Sequence, residues 1–196
     1  MNRIISLLIA LTLCVTLSAQ NADFTKAVAK YKNVASLTAT ATRTTHKPTV
    51  AKDKVVTGTL SVKKPGKVCI ANGKDALIMN GTAFTMKKGT LKAKTDASKD
   101  TRYKTFHDVL EAIFNGSATD ITKNADVKVS QSGSNVILTI TPIANKKLMF
   151  SSYIISIDSK AQEMRTIRLN QKGGAYTEYT FSNYKLGASV ADTIFK

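Results

Sequence analysis

Beyond residue 20, the side chains best suited to nucleophilic or acid–base chemistry are two imidazoles and one thiol: His46, His107 and Cys69. A Cys69–His107 pair would make a nucleophile and its base. Cys69, however, sits between Val68 and Ile70 in a run that alternates like a strand, which predicts a small buried apolar residue. His107 falls near the start of an apolar-periodic stretch, where a histidine packs or faces water. The acids Asp53, Asp75, Asp96, Asp100, Asp120, Asp158 and Asp192 mostly stand beside turn residues, where carboxylates cap and solvate. The sequence contains no HExxH, GxSxG, phosphate-binding loop or dinucleotide motif. These residues point away from an enzyme, a cofactor and a metal site.

Apolar area on strands is abundant instead. From Val56 to Met86 apolar and polar residues alternate between the turn dipeptides Pro65-Gly66, Asn72-Gly73 and Asn80-Gly81. That pattern predicts a meander of antiparallel strands with one apolar face. One parity supplies the inward set: Leu60, Val62, Val68, Ile70, Leu77, Met79, Phe84 and Met86. Further on the set continues with Leu138, Ile140, Ile155, Ile157, Ile167 and Leu169. A curled sheet lined this way either fills itself or holds an apolar ligand, and periodicity alone leaves both readings open.

Two helices must cover that face. Asn21 to Ser36 repeats Phe24, Ala27, Val28, Tyr31 and Val34 at helical spacing. Thr105 to Phe114 carries a wide stripe of Phe106, Val109, Leu110, Ile113 and Phe114, with Thr105 and Asp108 as a capping pair and Asn115-Gly116 as the stop. A helix this short is not stable in water alone, so what its stripe covers must hold it. Leu37 to His46 is the first strand, with Leu37, Ala39 and Ala41 on the inner face. Lys87-Lys88-Gly89 turns into one more strand, Thr90 to Thr95, and Lys94 to Arg102 reads as a mobile loop. The last third predicts strands at Ala125 to Gln131, Val136 to Thr141, Leu148 to Asp158, Glu163 to Asn170 and Ala175 to Phe181, then a final segment from Tyr184 to Phe195. The fold class is mainly β with α: one large antiparallel sheet, long enough to curl, under two short helices.

The first nineteen residues stand apart. Arg3, the apolar run from Ile4 to Leu17 and the small pair Ser18-Ala19 predict a cleaved secretory leader, too short to span a membrane. Its removal leaves residues 20–196 as a single domain, lowers the net charge from +16 to +15 with the loss of Arg3, and leaves Cys69 as the one cysteine, so no internal disulfide forms. The remaining charge is mostly lysine, with arginine only at Arg43, Arg102, Arg165 and Arg168. Export and the lack of any base-reading motif argue against nucleic acid.

Several motifs, in order, resemble the periplasmic lipoprotein carrier (LolA) family. They are Gly58-Thr59-Leu60 leading to Lys64-Pro65-Gly66-Lys67, then Leu77-Ile78-Met79-Asn80-Gly81 followed by Phe84, and the helix from Phe106 to Ile113. Leu138-Thr139-Ile140-Thr141-Pro142, Ile155-Ser156-Ile157-Asp158 and Tyr179-Thr180-Phe181-Ser182-Asn183-Tyr184 complete the series. The resemblance implies a curled antiparallel half-barrel whose hydrophobic cavity, lined by the inward set, takes lipoprotein acyl chains. The helix bearing Phe106, Val109, Leu110, Ile113 and Phe114 would be its lid. It also implies a periplasmic monomer without cofactor, receiving lipoproteins from an inner-membrane ATP-driven releasing complex and passing them to an outer-membrane acceptor. Where the family has arginine before the turn proline as a lid latch, this chain has Lys64, which keeps the charge but loses the planar fork. With no tryptophan, the cavity lining is expected to be aliphatic and methionine-rich. The alternatives are a carrier or sensor of another lipid, or a non-catalytic interaction module whose sheet packs on itself.

Overall fold

The computed structural model describes residues 22–116, 125–143 and 150–196; the leader expected at residues 1–19 lies outside them. Helix α1 covers 22–32 and is followed by six strands: β1 (Ser36–His46), β2 (Lys54–Lys63), β3 (Lys67–Asn72), β4 (Asp75–Asn80), β5 (Ala83–Lys88) and β6 (Leu91–Asp96). Helix α2 (Thr101–Asn115) precedes β7 (Ala125–Ser132), β8 (Asn135–Pro142), β9 (Ser152–Asp158), β10 (Glu163–Asn170) and β11 (Tyr176–Leu186). All eleven strands join one antiparallel sheet in the order β6-β5-β4-β3-β2-β1-β11-β10-β9-β8-β7, which leaves β6 and β7 at the edges of a half-barrel. β1 is the hinge of this order, because it pairs with β2 on one side and with β11 on the other.

The curl has local causes. At Gly58 a Cβ would lie 1.8 Å from the Ala71 carbonyl oxygen, so only glycine lets β2 and β3 approach there. Beside it the buried Asn72 side chain donates to the carbonyls of Ala41, at 2.8 Å, and Val56, at 3.1 Å. Across the sheet, the β1–β11 register slips between Thr38 and Thr40, where Asn183 adopts a φ of 55°. A second slip lies at Met164 on β10. There the Tyr31 hydroxyl accepts the Met164 N–H at 2.9 Å and the Tyr184 hydroxyl donates to its carbonyl at 2.6 Å. A buried backbone pair is thereby satisfied by side chains of α1 and β11.

Inside the curl lies one core. Phe24, Ala27, Val28 and Tyr31 of α1 and Phe106, Val109, Leu110, Ile113 and Phe114 of α2 pack on Leu37, Ala39, Ala41, Leu60, Val62 and the inward residues of the far strands. Fully burying one such large side chain is worth about 1.5–3 kcal/mol, which holds helices too short to stand alone. The two helices meet at their C-terminal ends, where Tyr31 and Phe114 pack edge to face at 5.4 Å. Among the described residues, no helix is long and apolar enough to cross a membrane.

Three expectations need correction. The segment from Lys94 to Arg102 is not a free loop: β6 continues through Asp96, Ala97 is buried and donates to the Thr82 carbonyl at 2.8 Å, and α2 begins at Thr101. The Asp100 carbonyl accepts the N–H groups of Tyr103 and Lys104, which starts the helix four residues before the expected cap. Thr105 is therefore buried inside the helix, and Asp108 bonds Lys104 at 2.8 Å one turn away. Finally, β11 runs without a break through Ser182 and Asn183 to Leu186, so the last segment is a strand end, a coil and a 3₁₀ turn at Asp192–Phe195. The expected strand from Leu148 is described only from Ser152.

The convex face has its own small cluster. Cys69 and Ile78 are directly paired across β3 and β4, and Phe195 of the C-terminal turn covers them. Asp192 clasps this turn to the sheet through Lys67 at 2.8 Å and Lys63 at 2.9 Å, and those bonds hold its carboxyl down at about 2.

Candidate ligand-binding cavity

Both helices pack over one end of the half-barrel, and the other end is left open. There a cavity of about 590 Å³ lies between strands β1 to β5, β10 and β11 and the first turns of α2. Its volume falls within the roughly 300–1,000 Å³ common for small-ligand sites. Ile70, Leu77, Phe84, Met86 and Leu169 supply its walls, and Phe106 and Tyr103 come from α2. Phe150 and Tyr179 complete the apolar surface.

An aromatic chain forms the floor. Phe106 stacks on Tyr153 at 5.6 Å, meets Phe84 edge-on at 6.1 Å, and Phe84 in turn contacts Tyr103 at 5.0 Å. Phe150 packs on Tyr153 at 5.8 Å. The expected aliphatic and methionine lining is thus corrected: without tryptophan, phenylalanine and tyrosine from separate segments converge on the cavity.

Of the inward set, five residues reach the cavity. Leu60, Val62, Val68, Met79, Leu138, Ile140, Ile155, Ile157 and Ile167 are buried in the packed core instead, together with Val109, Leu110, Ile113 and Phe114 of α2. The division follows where the helices lie along the strands, a long-range property that period two does not encode.

The polar wall holds a residue that alternation could have revealed. Arg43 follows Leu37, Ala39 and Ala41 on the inward parity of β1, and its guanidinium bonds Asp75 at 2.7 Å. Asp75 also accepts the Gly89 N–H at 3.0 Å. The Arg43 bond is the main reason its carboxyl sits below the usual range. Tyr179 faces Arg43 in the strand register, and burial raises its phenol. At the rim, His46 bonds Asp53 at 2.7 Å and stacks on Tyr176 at 4.8 Å.

No Cys69–His107 pair forms. Cys69 lies on the convex face, where burial pushes its thiol up, whereas His107 on α2 bonds the Gly81 carbonyl at 3.0 Å on the inner side. The sheet stands between them.

With this geometry in place, the sequence matches over residues 32–196 the family described as outer membrane lipoprotein carrier protein LolA. The chain belongs to the LolA family. No curated protein matches it in sequence. Among solved structures, a DUF1329 family protein from Desulfovibrio piger is similar at 10% identity over 89% of this chain and 96% of that one, with a TM-score of 0.50. A LolA superfamily protein from Nitrosomonas europaea gives 11% identity, the same coverage of 89% and 96%, and a TM-score of 0.46. A putative outer membrane lipoprotein-sorting protein domain from Vibrio parahaemolyticus gives 12% identity over 86% and 92%, with a TM-score of 0.48. At these identities the likeness is one of fold. Carrier proteins of the LolA family are non-catalytic.

In this LolA family chain the position expected to latch the lid ties a different helix. Lys64 donates to the carbonyls of Tyr31 and Lys32, at 2.6 and 2.8 Å, at the end of α1. Its described hydrogen bonds reach α2 only indirectly, through the Tyr31–Phe114 contact.

Proposed function

We propose that this LolA family chain is a periplasmic carrier that shelters lipoprotein acyl chains in the cavity between the half-barrel and α2, without catalysis or cofactor. Residues 1–19 are a leader removed on export, and residues 20–196 are the carrier domain. It takes its cargo from an inner-membrane ATP-driven releasing complex, delivers it to an outer-membrane acceptor, and works as a monomer. The observation that carries this reading is the cavity of about 590 Å³ with its aromatic floor. A self-packed interaction module would fill that space with side chains.

The energetics suit a carrier. Each exposed methylene of an acyl chain costs about 0.8 kcal/mol in water, so transport needs a dry site that still releases its load. α2 serves as the lid: Tyr103 and Phe106 lie against the cavity, and the rest of its stripe supplies the core contacts that reclose it. Lys64 acts as a latch at one remove, by fixing α1 against which α2 seats.

Native mass spectrometry of protein purified from the periplasm without detergent tests the reading. The expected result is a lipid-mass adduct that organic extraction removes and an acyl compound restores. A bare mass that no acyl compound shifts would refute it.

A further inference from the structure

The inward rows of the strands are amphipathic along their length. On β1 the row runs Leu37, Ala39, Ala41 and then Arg43. On β2 it runs Val62, Leu60, Gly58, Val56 and ends in Lys54. The β3 row ends in Asn72, the β4 row in Asp75 and the β5 row, after Phe84 and Met86, in Lys88. Since alternate residues share a face, each of these rows starts in the core and finishes in a polar group. Strand pairing brings those finishes to the same end: Arg43 opposes Val56, Thr45 opposes Lys54, and Leu77 opposes Met86.

That end is the mouth of the cavity. Lys47 and Lys52, from the connection between β1 and β2, add two more cations to its lining. Lys87 is turned outward, donating to the Lys196 carbonyl at 3.1 Å. Among the described residues the one acid in the lining is Asp75, already bonded to Arg43. Lys47, Lys52, Lys54 and Lys88 are exposed and make no ion pair among the described residues. Lysines spread for solubility would point away from the concave face; Lys54 and Lys88 instead complete its rows.

We propose that this collar is a head-group site, and that the cavity prefers amphiphiles bearing a negative charge where the acyl chain ends. The proposal rests on the reading of the cavity as an acyl-chain site. An apolar floor with a cationic mouth matches a molecule with one apolar and one anionic end, and the collar supplies both attraction and orientation. The shared chemistry is a carboxylate or phosphate joined to an acyl chain. The collar ammoniums, being flexible point charges, accept either.

Chain-matched ligands separate the two claims. Delipidated protein is titrated with myristate, monomyristoylglycerol and myristoyl-lysophosphatidylcholine, each kept monomeric, at low and at raised salt. Myristate should bind roughly tenfold or more tighter than the neutral ligand, a ratio equal to about 1.4 kcal/mol, and salt should shrink the gap. The variant Lys52→Gln, Lys54→Gln, Lys88→Gln should bind all three alike. Equal binding by the wild type overturns the head-group site and leaves the cavity reading standing. No binding of any ligand overturns both. An advantage for myristate that survives in the variant overturns the assignment to these lysines. So does sedimentation with phosphatidylglycerol vesicles in the absence of any charge preference among the monomeric ligands, which would make the collar a membrane-docking surface.

Discussion

Lys64 Nζ lies 2.6 Å from the carbonyl oxygen of Tyr31, carrying a cation from the β2–β3 turn onto the last turn of α1. Helix C-terminal carbonyls lack intrahelical partners and favour positive charge, a contribution of about 0.3–1 kcal/mol. Lys64→Ala should therefore speed amide exchange in 22–32. The effect should pass to the C-terminal end of α2 through Tyr31 and Phe114. Lys64→Arg should keep most of the protection. Exchange in α2 that is indifferent to Lys64→Ala would break the link between latch and lid.

His107 makes the seating of α2 sensitive to pH. Its Nε2 lies 3.0 Å from the Gly81 carbonyl oxygen, and its Nδ1 lies 3.2 Å from Asp108 Oδ1 and 3.8 Å from Glu111 Oε2. These neighbours accept hydrogen bonds, so both nitrogens donate only when the ring is protonated. The Asp108 bond, against the opposing effect of burial, raises the imidazole pKa. A raised folded-state pKa gives stability that is fully present below the unfolded value of about 6.5 and is lost as pH climbs through the folded value. Thermal unfolding should show a fall in Tm across neutral pH that is shallower in His107→Gln. Parallel pH profiles for the two proteins would contradict this role.

The inward rows were legible because a sheet with one buried face imposes period two on its sequence. Leu60, Val62, Ile70, Leu77 and Leu169 could be placed on that face without coordinates. Whether each lined a cavity or a core could not be read, since that depends on how far α1 and α2 reach along the strands. Only the end of β6, from Lys94 to Asp96, falls within the expected loop: as an edge strand it carries exposed lysines that block further pairing, and this charge hides where the strand stops. Arg43 was legible in principle, as a charge on the same parity as Leu37, Ala39 and Ala41. The aromatic floor was not, because Phe84, Phe106, Phe150 and Tyr153 meet only through the sheet order.

Gly58 should resist replacement by any other residue. A Cβ there would meet the Ala71 carbonyl oxygen at 1.8 Å and its carbon at 2.8 Å, both backbone atoms that yield only if β2 and β3 part. Gly58→Ala is expected to lower stability by about 1–3 kcal/mol, the usual cost of overpacking. Denaturant unfolding checks it. A midpoint equal to the wild type would show that the curl tolerates separation of these strands.

Cys69 offers a probe of the convex face. Buried under Phe195 and with its thiol pKa raised, it should react slowly with a thiol reagent in the folded protein. Phe195→Ala should uncover it and raise the labelling rate several-fold while leaving the cavity intact. Fast labelling of the wild type would place the C-terminal turn off the sheet.

The most direct measurement is calorimetric titration of the delipidated protein with a triacylated lipopeptide, whose acylated N-terminus carries no charge, beside the same peptide without acyl chains. It is repeated on Thr177→Trp, which puts a large side chain into the cavity from a half-buried position between Thr45 and Leu169. A carrier cavity should give saturable binding of the lipopeptide, no binding of the bare peptide, and loss of lipopeptide binding in Thr177→Trp with the fold retained. Lipopeptide binding undiminished in a folded Thr177→Trp, or absent from the wild type, would contradict it.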